Sequence, residues 1–581
     1  MARSVAEHLV TQLVAAGVER IYGIVGDSLN PIVDAVRRTD GIDWVQVRHE
    51  EAAAFAAAAE AEVTGKLTAC AGSCGPGNLH LINGLYDANR SRVPVLAIAS
   101  HIPSDQIGTS FFQETHPDRL FNEASVYSEM ISTAKQVPRV TRTAIQHALT
   151  APGVAVLTLP GDVADEHVED DDEPILVPGA CPARVVPHTD DVAALAKAIN
   201  DAKKVTLFVG AGARDARDEV LELAELAAAP VGHSLRGKEI IQYDNAHDVG
   251  MSGLLGYGAC QDAMEEADLL VLVGTDFPYD SFLPSDVPTA QIDIDASHLG
   301  RRTRLDVPVH GDVGETLRML NPQIRAKTGT ARKFLKSKVK QHAGIMTKVV
   351  GAYTRNVEKT TPIHPEYAAV LLDEAAAEDA VFTVDTGMNN VWAARYLTPN
   401  GRRRVIGSFL HGSMANALPH AVGASLADPD RQVVALVGDG GLSMLLGELL
   451  TVRAYDLPIK IVVFNNSSLG MVKLEMLVEG LPSHATDSPS VDYRQVALAL
   501  GIPAVRVEDP RDLSKALEDG LDRDGPALID VITDPNALSI PPSISSGQIR
   551  GFATAMTKEI LGGGMGEVMS MARSNLRNLP R

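Results

Sequence analysis

The sequence predicts an α/β protein of three doubly wound parallel-sheet domains followed by a C-terminal amphipathic helical tail. Three observations predict it. Short apolar runs ending in Gly, Asp, Asn or Pro recur along the 581 residues. Between them lie Ala/Leu/Glu-rich stretches with helical spacing, such as 220–229. Two polar stretches, 166–189 and 323–362, interrupt the alternation. Strands that are apolar throughout belong to parallel sheets covered on both faces, and ligands collect at the carboxyl ends of such strands.

In chain order, "MARSVAEHLVTQLVAAGVERIYGIVG" reads as an amphipathic helix running into a strand, without the apolar stretch and cleavage site of a signal peptide. "WVQVRHEEAAAFAAAAEA" (44–61) is a strand, an acidic pair and an Ala-rich helix. "VPVLAIAS" (93–100) and "GVAVLTLPGD" (153–162) are further strands of a first domain, 1–180. An acidic, Pro-bearing linker leads to a second domain, 185–345, with "VTLFVGAGA" (205–213), "DLLVLVGTD" (268–276) and "AQIDID" (290–295). A third, 355–535, carries "AVFTVDTG" (380–387), "VVALVGDGG" (433–441), "IKIVVFNN" (459–466) and "ALIDVIT" (527–533). The tail, 536–581, opens in the Pro-rich "SIPPSISSGQ".

A formal charge of −22 makes nucleic acid an unsuitable partner, and an anionic substrate needs local positive charge from a metal or basic loop. Four cysteines (Cys70, Cys74, Cys181, Cys260) are too few for a disulfide framework and read as reduced core residues. No run reaches the roughly 18 apolar residues of a membrane span. The expectation is a cytoplasmic protein, at most attached to a membrane surface.

The densest chemistry lies at 437–466. Asp439 ends one apolar strand among Gly438, Gly440 and Gly441, and the next strand ends in Asn465 and Asn466, the latter 27 positions after Asp439. The glycines let backbone N–H groups approach an anion, and the following helix offers its positive end. Adjacent parallel strands bring a carboxylate and a carboxamide oxygen to one small volume, and hard oxygens shared with a diphosphate suit Mg²⁺. GDG alone is equally a tight strand-to-helix turn; joined to NN at this spacing it reads as a metal–diphosphate site.

This pair resembles the thiamine diphosphate (ThDP) motif. The resemblance implies Asp439, Asn466 and the backbone carbonyl of Ser468 as magnesium ligands. It places Gly412, Ser413, Gly440, Gly441, Ser467, Leu469, Gly470, Met471 and Val472 against the cofactor, with Met414 as the apolar wedge between its rings. It also requires a glutamate from another domain. Glu50 and Glu51, by themselves, are acids favoured in a helix's first turn; beside the other motif, Glu50 is the choice for the acid facing the aminopyrimidine, where it supports proton removal from the thiazolium. Because acid and metal site come from different domains, they are expected to meet across a subunit interface.

Longer stretches, "CAGSCGPGNLHLINGLYDANRSRVPVLAIASHIPSDQIGTSFFQETHP" (70–117), "LRGKE" (235–239), "YDNAHDVGMSGLLG" (243–256), "GTDFPY" (274–279) and "HGSMANALPHA" (411–421), resemble the bacterial pyruvate:quinone oxidoreductases over nearly the whole chain. The strand–Gly turn at 205–213 is a weak dinucleotide signal alone, and some superfamily members keep this domain without flavin. The resemblance implies FAD there. It would be held at Gly210, Gly212 and Arg236; at Met251, Ser252, Gly253 and Leu254; at Gly274, Thr275, Asp276, Phe277 and Pro278; and at Asp293 and Asp312. Phe112 and Gln113 fall where these enzymes line the substrate pocket. Met471 departs from the pattern, standing where a close relative has an aromatic residue.

The implied reaction converts pyruvate to acetate and CO₂, with electrons passing through FAD to a membrane quinone. Three rivals stand beside it: an acetolactate-synthase-like carboligase, a phosphate-dependent, peroxide-forming pyruvate oxidase, and a non-catalytic membrane-docking flavoprotein. The tail puts Phe552, Met556 and Ile560 on one helical face, and Met565, Val568, Met569, Ala572 and Leu576 on another beyond Gly562–Gly564, with Arg573 and Arg577 opposite. Such a basic amphipathic segment suits an anionic lipid surface, or docking on its own domain. The resemblance implies the former, on the inner face of the cell membrane, and a homotetramer.

Overall fold

A computed structural model describes residues 3–168 and 184–538 of the chain. The acidic part of the linker, Cys181 and the amphipathic tail beyond 538 lie outside the described residues. Three sheets, each covered by helices, form the described part, as the alternation of apolar strands and helices predicts.

The first sheet contains β1 (Arg20–Gly23), β2 (Asp43–Gln46), β3 (Thr68–Gly72), β4 (Val95–His101), β5 (Tyr127–Met130) and β6 (Val154–Pro160). Its order is β2-β1-β3-β4-β6-β5, all parallel. The middle sheet contains β7 (Val205–Val209), β8 (Val231–His233), β9 (Asp248–Met251), β10 (Tyr257–Gly258), β11 (Leu269–Val273), β12 (Thr289–Asp293) and β13 (Val307–His310). Its order is β10-β9-β8-β7-β11-β12-β13, with only β10 antiparallel to its neighbour. The third sheet contains β14 (Val381–Val384), β15 (Arg404–Gly407), β16 (Val433–Gly438), β17 (Lys460–Asn465), β18 (Ala504–Val507) and β19 (Ala527–Ile532).

The third sheet's order, β15-β14-β16-β17-β19-β18, repeats that of the first strand for strand. In both, the order reverses beside the first strand of the set, and that is where open parallel sheets form their ligand crevice.

These two outer units share one apolar cluster, from Tyr22 and Val45 through Leu81 to Ala421 and Val437. The Ala-rich helix Glu50–Thr64 makes this possible. It is buried on nearly every side, and its small side chains let the helices Pro76–Ser91 and Ala417–Ala427 approach closely. A Cβ at Gly423 would lie 2.0 Å from the Ala56 carbonyl oxygen, and one at Gly84 would lie 2.6 Å from the Ala54 Cβ. Glycine at those two crossings is thus a packing requirement. Consequently the helix that begins at Glu50 is seated against the unit that carries Asp439. Among the described residues, no helix is long and apolar enough to cross a membrane.

Candidate active site

β16 and β17 are parallel neighbours, with Gly438 in register with Phe464, so their carboxyl ends open side by side. Asp439 starts the short helix Asp439–Met444 and is only 5 % exposed. The Asn466 N–H donates to Asp439 Oδ1 at 3.3 Å, and the Ser468 N–H donates to Asn466 Oδ1 at 2.9 Å. The two adjacent asparagines divide their tasks. Asn465 faces inward, donating to Asp530 Oδ1 at 2.9 Å and to the Val491 carbonyl at 3.0 Å, whereas Asn466 joins the Asp439 edge. Burial pushes the Asp439 carboxyl up to about 6, opposed by the Asn466 N–H. Its ionised form at neutral pH therefore gains from a positive partner.

The loops around this pair fit a metal-bound diphosphate. Ser468 Oγ is buried without a hydrogen-bond partner, as are Thr386 Oγ1 and Asn390 Oδ1 after β14. A Cβ at Gly440 would sit 2.8 Å from Leu469 Cδ2 and 3.5 Å from Met414 Cε. The turn therefore stays open only as glycine, and it has the Met414 side chain beside it. Gly470 opens the helix Gly470–Val478, where a Cβ would meet Met388 at 3.0 Å and Asn466 Nδ2 at 3.4 Å. Ser467 holds a left-handed φ of 52°, and Gly412 one of 76° at the start of the Met414 loop. Of the predicted cofactor positions here, Met471 is half-buried against the third unit's core, and the adjacent Val472 is exposed.

Glu50 is 6 % exposed, in the first turn of a helix capped by His49, whose Nδ1 accepts from the Glu51 N–H at 3.2 Å. Its Oε2 lies 2.9 Å from His80 Nδ1, and its Oε1 faces Gly77, where a Cβ would come within 3.1 Å. His49 and His80 stack at 4.4 Å, and burial lowers the His49 pKa. The three side chains bring ligand-type atoms within 4.8 Å, yet His49 Nδ1 already accepts the Glu51 N–H and His80 Nδ1 already faces Glu50 Oε2. That arrangement suits a proton-handling carboxylate better than a metal.

Other contacts tie this helix to the third unit. The Arg48 N–H donates to Glu448 Oε1 at 3.0 Å. Asn83 Nδ2 donates to Glu51 Oε1 at 2.6 Å and to Ser413 Oγ at 2.8 Å, and Asn83 Oδ1 lies 2.8 Å from His411 Nε2. His80 and Asn83 share the helix Pro76–Ser91, so it touches both the acid and the Met414 loop. Neither residue was singled out by the sequence, because one polar position among the several on this helix has no motif of its own.

The predicted substrate-pocket pair behaves less uniformly. Gln113, at φ 63°, accepts from Cys74 Sγ at 3.3 Å and packs on Gly75, at the start of the helix bearing His80. Phe112 is 78 % exposed, so no described residue of the same chain closes a pocket around it.

In the middle unit, every predicted flavin position lies at or just beyond the carboxyl end of a strand. Gly210 and Gly212 follow β7, Arg236 follows β8, Met251 ends β9, and Ser252 to Leu254 follow it. Gly274 to Pro278 follow β11, Asp293 ends β12 and Asp312 follows β13. β7 and β11 flank the reversal of strand order, and a Cβ at Gly212 would lie 2.9 Å from the Gly274 Cα. Several of these side chains already have partners within the chain, among them Arg236 at 3.8 Å from Glu62, Ser252 Oγ donating to Gln261 Oε1 at 2.7 Å, and Asp293 Oδ1 at 3.3 Å from His298 Nδ1. Phe277 packs edge-on against Phe208 at 5.0 Å, Asp312 caps the helix Val313–Leu320, and Asp276 pairs with Arg301 at 2.9 Å.

The third sheet adds a residue that the motif did not reveal. Asp385, directly after β14, is 1 % exposed and touches Gly441. Burial pushes its carboxyl up to about 7, against the N–H groups of Thr386, Ala415 and Asn416.

Repeated open-sheet units and an acid–amide pair beside a glycine turn define an enzyme class that holds a diphosphate-bearing cofactor at a sheet edge. Family models match in the same three blocks: thiamine pyrophosphate enzyme, N-terminal TPP binding domain over 3–120, central domain over 192–320, and C-terminal TPP binding domain over 385–531. The chain belongs to the thiamine pyrophosphate enzyme family. It is 36 % identical over 577 residues, 99 % of each chain, to YdaP of Bacillus subtilis, a protein named for the thiamine pyrophosphate it is thought to contain. It is 30 % identical over 534 residues to pyruvate oxidase of Lactiplantibacillus plantarum, covering 90 % of this chain and 87 % of that one. It is 31 % identical over 571 residues to acetolactate synthase 3, chloroplastic, of Brassica napus, covering 94 % and 86 %.

Proposed function

We propose that the protein oxidatively decarboxylates pyruvate: pyruvate, water and a quinone give acetate, CO₂ and quinol, with the two electrons passing through FAD. The observation that carries this reading is the middle sheet, whose carboxyl edge carries all the flavin candidates, with Gly210, Gly212 and Gly274 to Pro278 at the reversal between β7 and β11. That edge accompanies a ThDP-type edge in the same chain.

Bound ThDP would supply the carbon nucleophile and the electron sink for decarboxylation. Asp439 and Asn466 would hold Mg²⁺ through side-chain oxygens, with the Ser468 carbonyl as a third ligand. Glu50, buried and hydrogen-bonded to His80, would hold the proton exchanged with the aminopyrimidine. Met414, against Gly440 and beside Leu469, would keep the cofactor bent. Gln113 and Phe112 would border the substrate, and because Phe112 stands exposed on one chain, a second chain is expected to cover it. The same reading makes the enzyme a homotetramer, cytoplasmic and peripheral on the inner membrane face, attached to anionic lipid through 549–581.

Pyruvate turnover with an artificial dye or quinone acceptor tests the reaction. The expected result is one acceptor reduced per pyruvate consumed, with a visible flavin spectrum that bleaches only when ThDP and Mg²⁺ are present. Acetolactate formed without acceptor reduction would replace this reading with a carboligase, which similarity to acetolactate synthases supports to a comparable degree. A fully active monomer would remove the tetramer. Anionic-vesicle binding that persists in a chain ending at Gln548 would remove the tail's role.

A further inference from the structure

We propose that Asp385 is a positioning residue that locks the Met414 loop to the Gly438–Gly441 turn, fixing the apolar wedge relative to the diphosphate site. The inference rests on the ThDP reading above and extends it to a residue outside the GDG–NN motif.

Asp385 and Gly441 follow β14 and β16, the two strands that flank the reversal of order in the third sheet. On one side, the carboxylate meets the glycine turn. A Cβ at Gly441 would fall 1.8 Å from Asp385 Oδ2, so the contact exists only because position 441 has no side chain. On the other side, the carboxylate collects donors from the loop that carries Met414. Asn416 Nδ2 donates to Oδ1 at 3.2 Å, and the same Gly441 Cβ position that meets the carboxylate lies 3.2 Å from the Ala415 backbone nitrogen. Asn416 extends the brace, donating to the Ser413 carbonyl at 2.7 Å and accepting the Ser408 N–H at 3.2 Å.

The loop needs such a brace. Ala415 sits at φ 66°, a left-handed conformation that a residue with a Cβ holds only when its surroundings impose it. Its neighbour Met414 reaches Gly440, one residue from Gly441. A single buried carboxylate therefore connects the wedge and the diphosphate turn. The Thr386 N–H at 3.0 Å is its local partner, and the Asn416 amide at 3.2 Å comes from the wedge loop.

The test is a double-mutant cycle on the full chain, using Asp385→Asn and Met414→Ala. The amide keeps the size of the side chain but turns a donor toward groups that are themselves donors. Mg²⁺–ThDP affinity is read by quenching of tryptophan fluorescence, and kcat by pyruvate-dependent acceptor reduction at saturating cofactor. The expected result for Asp385→Asn is about tenfold weaker cofactor binding and a roughly tenfold lower kcat that excess cofactor does not restore. In the Met414→Ala background, the same substitution should cost less than about twofold, because the residue acts through Met414.

Equal losses in both backgrounds, or wild-type affinity and kcat in Asp385→Asn, would overturn the proposal alone. Failure of the wild-type chain to bind Mg²⁺–ThDP would overturn the cofactor reading and this inference with it. If Asp385→Asn does not fold, Asn416→Ala removes a donor from the same brace. It should show the same non-additivity with Met414→Ala, and additive losses there would overturn the proposal.

Discussion

Glu50→Gln is expected to leave the fold and Mg²⁺–ThDP binding close to wild type while lowering pyruvate turnover by about a hundredfold or more. Gln is isosteric with Glu, so the packing against Gly77 and a hydrogen bond near 2.9 Å to His80 are both retained. What disappears is the capacity to hold a proton at that oxygen. The stability change should be small, since loss of a negative charge from a helix's first turn costs about 0.3–1 kcal/mol. A drop in kcat with little change in cofactor affinity would mark a group acting in the reaction rather than in binding. Steady-state turnover at saturating ThDP, beside a fluorescence titration of its binding, separates the two. Unchanged turnover would remove Glu50 from the chemistry.

Glu50 also shows how much was legible in the sequence. Strands such as β7, β11, β16 and β17 announce themselves because they are continuously apolar and end in Gly, Asp or Asn. β3 does not, although it is wholly buried, because "TACAG" has small side chains that suit a helix equally well. β5 and β13 lie at sheet edges, where partial exposure breaks the apolar run. The repeat of one strand order in the first and third sheets left no trace in the residue pattern, since the two share topology rather than composition.

In the site, proximity along the chain decided what could be read. Asp439 and Asn466 stand on adjacent strands that are consecutive in sequence, so their spacing encodes their meeting. Asp385 meets Gly441 from 56 positions away in a "DTG" turn with no signal of its own, and only the close contact reveals it. Asn83 joins Glu51 to Ser413 across 330 positions, beyond the reach of any local pattern. Phe277, a position that only the resemblance singles out, packs its ring on Phe208 in the middle unit's core.

Asp439→Asn is expected to abolish most of the cofactor's hold on the protein without harming the protein itself. The amide can still accept the Asn466 N–H that reaches Oδ1 at 3.3 Å, so the turn after β16 keeps its local bond. It offers a cation no charge, and losing one member of a buried charged pair costs about 2–5 kcal/mol, at least about thirtyfold in affinity. The chain without cofactor should respond in the other direction. Burial already lifts the Asp439 carboxyl to about 6, so its ionised form at neutral pH opposes folding, and a neutral amide relieves that opposition. Thermal unfolding reads both effects. Cofactor and Mg²⁺ at a hundred times the wild-type Kd should stabilise the wild type by about 2.7 kcal/mol, and a variant binding a hundredfold more weakly by only about 0.4 kcal/mol. The variant's midpoint without cofactor should match or exceed the wild type's. Equal stabilisation of both proteins by Mg²⁺–ThDP would show that the carboxylate grips no metal.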